Sequence, residues 1–123
     1  MYELKIISQF AAAHQLRNFK GGCEKLHGHN WKIEVFVCGE EIGEDGLLVD
    51  FRDIKDETGK IMDELDHKFL NDLEFFQENN PSSENIARLV FEALSKRLDS
   101  ESLQVNRVTA WESDSACASY FVK

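Results

Sequence analysis

HGHNWKIEVFVC, residues 27 to 38, decides how this chain folds. Trp31, Ile33, Val35 and Val37 are apolar, while Asn30, Lys32 and Glu34 between them are polar. A period of two is that of a β-strand with one buried face, so a strand is predicted from His29 to about Cys38. Side chains alternate across a strand, which puts His27 and His29 on the face of Trp31 and Ile33, with Gly28 between them.

Upstream, Tyr2, Leu4, Ile6, Phe10 and Ala12 are apolar against polar Glu3, Lys5 and Gln9. This predicts a first strand ending near His14, with His14 in phase with the buried positions. If the two strands pair around the loop at residues 15 to 26, three imidazoles converge at one rim of the sheet. Three neutral imidazole nitrogens about 2.0–2.1 Å from a common point make a catalytic-type zinc site with its fourth position open. The plainer alternative is an incidental H-x-H pair beside a core histidine.

Downstream, Asp50 is placed to cap a helix whose apolar positions Ile54, Thr58, Ile61, Met62 and Leu65 recur at spacings of three and four. It is expected to end near Leu65-Asp66-His67. Pro81, Ser82 and Ser83 open a second helix with Ile86, Leu89, Val90, Ala93, Leu94 and Leu98 on one face. QVNRVTAWES, residues 104 to 113, and SACASYFV, residues 115 to 122, read as a closing strand pair. The order β-β-α-α-β-β predicts an α+β fold, with helices on one face of an antiparallel sheet.

The 123 residues suit one domain, 1–123, with 42% hydrophobic content for its core. Against 23 Asp plus Glu stand 14 Lys plus Arg, a formal charge of -9 that repels polyanions and argues against nucleic acid or an anionic membrane as partner. The start MYELKIISQF lacks a basic and apolar leader pattern, and no apolar run reaches membrane-spanning length, so an unexported, cytoplasmic protein is expected. Cys23, Cys38 and Cys117 are odd in number and lack a C-x-x-C pair, which points to free thiols rather than a disulfide framework.

Other residues could carry chemistry. Cys23 precedes His27 by four positions and is either a buried bystander or, beside a metal, a stabilised thiolate. Asp66-His67 offers a carboxylate-oriented imidazole, or an ordinary helix-terminal histidine. Glu112 at a strand end is able to accept paired hydrogen bonds, and Glu84 suits a helix N-terminus.

Together these residues resemble the 6-pyruvoyltetrahydropterin synthase and 6-carboxytetrahydropterin synthase family. The resemblance is carried by FAAAH at 10–14, C-x3-H-G-H-N at 23–30, VDF at 49–51, LDHKFLN at 65–71, PSSEN at 81–85 and WES at 111–113. It implies a T-fold, a four-stranded antiparallel sheet with two helices on one face, assembled as a homohexamer of two trimeric barrels. It further implies Zn2+ on His14, His27 and His29, catalytic Cys23, Asp66 and His67, and Glu112 as both anchor of the pterin ring and member of the acid/base relay. Ser83 and Glu84 of PSSEN are implied to bind substrate, and Arg17, Lys20 and Lys25 are assigned to its triphosphate. The implied substrate is 7,8-dihydroneopterin triphosphate. The short C-x3-H-G-H spacing points to the carboxy-forming branch of queuosine synthesis rather than to the pyruvoyl-forming branch of tetrahydrobiopterin synthesis.

Two other readings were open at this level. A cupin fits Gly21-x5-His27-x-His29-x4-Glu34, but Glu34 has the wrong strand parity and the second half of that motif is missing. A non-catalytic module with structural zinc would use Cys23 as the fourth ligand.

Overall fold

The computed structural model describes residues 1–17 and 25–122. Its elements are β1 (Tyr2–His14), β2 (His27–Gly39), α1 (Phe51–Leu65), β3 (Lys68–Phe69), α2 (Phe75–Glu78), α3 (Ser83–Leu98), β4 (Gln104–Ser113) and β5 (Ala116–Phe121). The strands form one sheet in the order β3-β1-β2-β4-β5. Four long strands are antiparallel, as the alternation predicts. The expected four-stranded sheet has a fifth member, because two-residue β3 runs parallel to β1 with Ala12 opposite Lys68. A segment that short has no period to read, and α2 escaped the sequence reading for the same reason.

Register follows from burying one face. Phe10 faces Trp31, Ala12 faces His29 and His14 faces His27 across β1 and β2. Trp31, Ile33, Val35 and Val37 are all fully buried. α1 packs on β1, and α3 on β4 and β5, so both long helices cover the same face of the sheet. α1 buries the five residues that its spacing predicts, Ile54, Thr58, Ile61, Met62 and Leu65. α3 buries Ile86, Ala87, Val90, Phe91 and Leu94, so its core stripe is rotated toward Ala87 and Phe91, with Leu89, Ala93 and Leu98 only partly buried. The helix starts are capped as expected. Asp50 Oδ1 accepts from the Arg52 N–H at 2.9 Å, and Ser82 Oγ from the Asn85 N–H at 3.2 Å.

β4 carries two irregularities that simple alternation does not foresee. Phe36 pairs with Arg107 but Val37 with Val105, so Asn106 is an extra residue and both Val105 and Val108 turn inward. Trp111 pairs with Cys117 but Ser113 with Ala116, leaving Glu112 as the extra residue of a second bulge. Bulges re-aim side chains. No helix among the described residues is long and apolar enough to cross a membrane.

Candidate active site

The histidines stand at the end of the β1–β2 ladder on the helix-covered face. His14 is buried at 2% exposure, and its ring lies 5.0 Å from that of His29 and 5.2 Å from Trp31, both edge-on. Trp31 also meets His29 at 5.5 Å, so one indole floors both imidazoles. His27, more exposed, lies 5.8 Å from His29 with its ring nearly parallel and 6.5 Å from His14. The three expected imidazoles are therefore neighbours.

The β4 bulge brings in Glu112. Its Oε1 lies 3.0 Å from His29 Nε2 and 3.5 Å from His14 Nε2. On the opposite face the preceding residue, Trp111, is fixed by donating its Nε1–H to Glu34 Oε1 at 2.6 Å. Burial pushes the Glu34 carboxyl up, but the bonds from Trp111 and Lys5 outweigh it, and the group lies below the ordinary glutamate range.

His14 Nδ1 lies 2.7 Å from the Pro81 carbonyl oxygen, which can only accept. Nδ1 therefore carries the proton, and in neutral His14 the lone pair sits on Nε2, facing Glu112 and His29. His14 Nε2 is buried and makes no hydrogen bond among the described residues. Nitrogen and oxygen donors of His14, His29 and Glu112 lie within 4.8 Å of one another. Such a set of borderline nitrogens with a carboxylate fits a zinc ion. Within that three-atom group Glu112 occupies the place expected for His27, whose ring stands one neighbour out.

Asp66 and His67 meet as expected, but at the other edge of β1. Asp66 ends α1, and its Oδ1 accepts from the Ala11 N–H at 2.8 Å while Oδ2 lies 2.9 Å from His67 Nδ1. The His67 N–H donates to the Ala11 carbonyl at 2.6 Å, and His67 adopts a left-handed φ of 57°. That conformation is uncommon outside glycine, and two bonds to Ala11 hold it. It turns the chain from α1 into β3. The bond from Ala11 holds the Asp66 carboxyl below its ordinary range, against a smaller opposing effect of burial and with help from His67. An open groove of about 480 Å³ runs from His67 to His29, lined by Ala11–Ala13, Gly28, His29, Asn30 and His67–Phe69.

The remaining expected residues divide. Ser83 is half-buried and Glu84 exposed in the first turn of α3, next to the Pro81 carbonyl that holds His14. Lys25 is exposed. Cys23 and Lys20 lie outside the described residues. Arg17 is half-buried, and its guanidinium donates to the Phe76 and Asn79 carbonyls, fastening the end of α2. The sequence reading missed Pro81 as a partner of His14, because a backbone carbonyl leaves no signature in residue type.

A sheet covered on one face by two helices, with imidazole and carboxylate donors gathered at its rim, defines an α+β enzyme with a metal-capable site. The chain belongs to the 6-pyruvoyl tetrahydropterin synthase family, whose model matches residues 3–123. It is 36% identical over 109 residues to a putative 6-carboxy-5,6,7,8-tetrahydropterin synthase of Archaeoglobus fulgidus, covering 89% of this chain and 86% of that one. It is 34% identical over 105 residues to the dihydroneopterin monophosphate aldolase of Pyrococcus furiosus, covering 85% and 84%. The 6-pyruvoyl tetrahydropterin synthase of Caenorhabditis elegans superposes with a TM-score of 0.86 at 27% identity, over 99% of this chain and 96% of that one. The fold is the T-fold of these enzymes, and the chain is a lyase of the pterin synthase type.

Proposed function

We propose that this T-fold domain, residues 1–123, is a zinc-dependent 6-carboxy-5,6,7,8-tetrahydropterin synthase. It converts 7,8-dihydroneopterin triphosphate and water to 6-carboxytetrahydropterin, acetaldehyde and triphosphate for queuosine synthesis. The observation that carries the reading is the gathering of the His14, His27 and His29 rings at one end of the β1–β2 ladder, with Glu112 Oε1 3.0 Å from His29 Nε2. The short C-x3-H-G-H spacing and the Archaeoglobus relative's name favour the carboxy-forming outcome.

Zinc would be held by His14, His27 and His29, and when bound it supplies the Lewis acidity that makes protons on the substrate side chain easier to remove. Cys23 takes a proton as thiolate base, and His67, oriented by Asp66, moves another. Glu112 accepts from the 2-amino and N3–H donors of the pterin, and Ser83 and Glu84 take part in binding the substrate. The assembly is a cytoplasmic homohexamer; half-exposed Tyr120 and Phe121 on the edge strand β5 support closure of sheets into a barrel.

Glu112→Gln separates its two possible tasks. As ring anchor it is expected to lower kcat/KM by about 100-fold with zinc retained, an order typical of losing one charged contact. Loss of zinc from this variant would make Glu112 a ligand instead.

Asp66→Asn keeps an oxygen for the Ala11 N–H but removes the charge facing His67, so a fall in kcat of roughly 10²–10⁴ is expected at little cost in stability. The sign of the pH dependence follows from the lowered pKa. The carboxylate's contribution is present above the ordinary aspartate value near ~3.9 and is lost as pH falls through the lower folded value. A pH–stability scan from neutral down into the acid range should find no Asp66-dependent loss until below that ordinary value. A loss beginning between pH 5 and 7 that Asp66→Asn removes would contradict this.

The test is anaerobic incubation of zinc-loaded and chelated protein with the triphosphate, with products identified by mass. The carboxy product and acetaldehyde, formed only with zinc, confirm the proposal. A 6-pyruvoyl product moves the enzyme to the biopterin branch, and zinc binding without turnover leaves a binding module. A second reading, cleavage of the monophosphate, is favoured by the Pyrococcus aldolase and calls for dihydroneopterin monophosphate as a parallel substrate.

A further inference from the structure

β1 ends at His14, still paired with His27, and residues 15–17 that follow belong to no strand, yet their backbone is not left bare. Asn71 Oδ1 accepts from the Gln15 N–H at 2.9 Å and its Nδ2 donates to the Gln15 carbonyl at 2.7 Å. Asn80 does the same for Arg17, with both bonds at 2.8 Å. A carboxamide has one acceptor and a two-proton donor at the spacing of a peptide group, so each asparagine imitates one residue of a missing strand.

The two clamps differ in what else they hold. Asn71 belongs to the turn after β3. The Asn80 backbone carbonyl accepts from Asn85 Nδ2 at 2.8 Å and from the Ser82 N–H at 2.8 Å. Asn80 is thus bound on its side-chain end to Arg17 and on its backbone end to the start of α3. Between those anchors lies Pro81, whose carbonyl meets His14 Nδ1.

We propose that Asn80 is a positioning residue of the metal site. By fixing the span from Arg17 to Ser82, it holds the Pro81 carbonyl against His14 Nδ1 and thereby keeps the His14 Nε2 lone pair aimed at the site. The inference rests on the zinc reading given above. Outer partners that orient a ligating histidine typically change metal affinity by about 10–100-fold when removed.

Zinc alone is the probe. Its dissociation constant is measured by competition with a chromophoric chelator for the wild type, Asn80→Ala and Asn71→Ala, with thermal melts of the metal-free proteins alongside. Asn80→Ala is expected to weaken zinc at least 10-fold. Asn71→Ala, which breaks an equivalent pair of bonds without touching the Pro81 span, is expected to lower the melting temperature and leave zinc within threefold. Equal effects of the two variants, or no effect of Asn80→Ala, overturn the proposal. If Asn80→Ala does not fold, Asn85→Ala removes one of the two bonds to the Asn80 carbonyl and is expected to weaken zinc at least threefold; a smaller change overturns the proposal. A wild-type protein that binds no zinc refutes the zinc reading itself, which these variant ratios keep distinct.

Discussion

His14→Ala is expected to abolish turnover and to weaken zinc by more than the roughly 10–100-fold that losing an outer partner costs. Two independent geometric facts stand behind this. The Pro81 carbonyl commits Nδ1 to donating, and the Nε2 so freed lies 3.5 Å from Glu112 Oε1, in the donor group it forms with His29. His14 is also packed edge-on against Trp31, so the alanine variant loses some stability through the cavity left behind. His14→Asn retains more of that volume and a polar tip, and serves as the folding control. The measurement is zinc content after gel filtration together with chelator competition. A folded His14 variant that keeps zinc at wild-type affinity would remove His14 from the site.

Trp31→Ala is expected to have the largest effect on stability, about 3–5 kcal/mol by denaturant unfolding. Trp31 is fully buried, stacks at 6.1 Å on Phe10, and floors both His14 and His29. Trp31→Phe should cost much less. The indole Nε1–H is buried with no hydrogen-bond partner among the described residues, and such an orphan carries a penalty of about 1–3 kcal/mol that phenylalanine relieves while keeping an aromatic floor. The two variants therefore divide the role of Trp31 into volume and polarity. If Trp31→Phe were as damaging as Trp31→Ala, the indole nitrogen would have to be doing something the packing does not indicate.

The two predictions draw on different kinds of legibility. Trp31 was readable because a strand buried on one face leaves a period of two, and from Trp31 to Val37 only the half-buried Phe36 departs from it. The same parity set His27 and His29 on one face and His14 in phase with them, before any pairing was known. The α1 stripe was equally plain, because a single amphipathic helix on a sheet has one face to bury. α3 was less so: it packs on β4 and β5 and also meets α1, and the small residue Ala87 and the ring of Phe91 decided which side goes down.

The sequence by itself determined the four long strands, the two long helices and the neighbourhood of the histidines, because these follow from periodic burial that acts locally along the chain. Tertiary structure alone decided that Glu112 turns toward His14 and His29, since a bulge is a mismatch between two strands and belongs to neither. It decided that Arg17 fastens the end of α2, and that Asn71 and Asn80 pair with the backbone just beyond β1. It decided, too, that a proline carbonyl selects the tautomer of His14. Those contacts join residues more than fifty positions apart through one or two hydrogen bonds each, which impose no repeating pattern on the residues that make them.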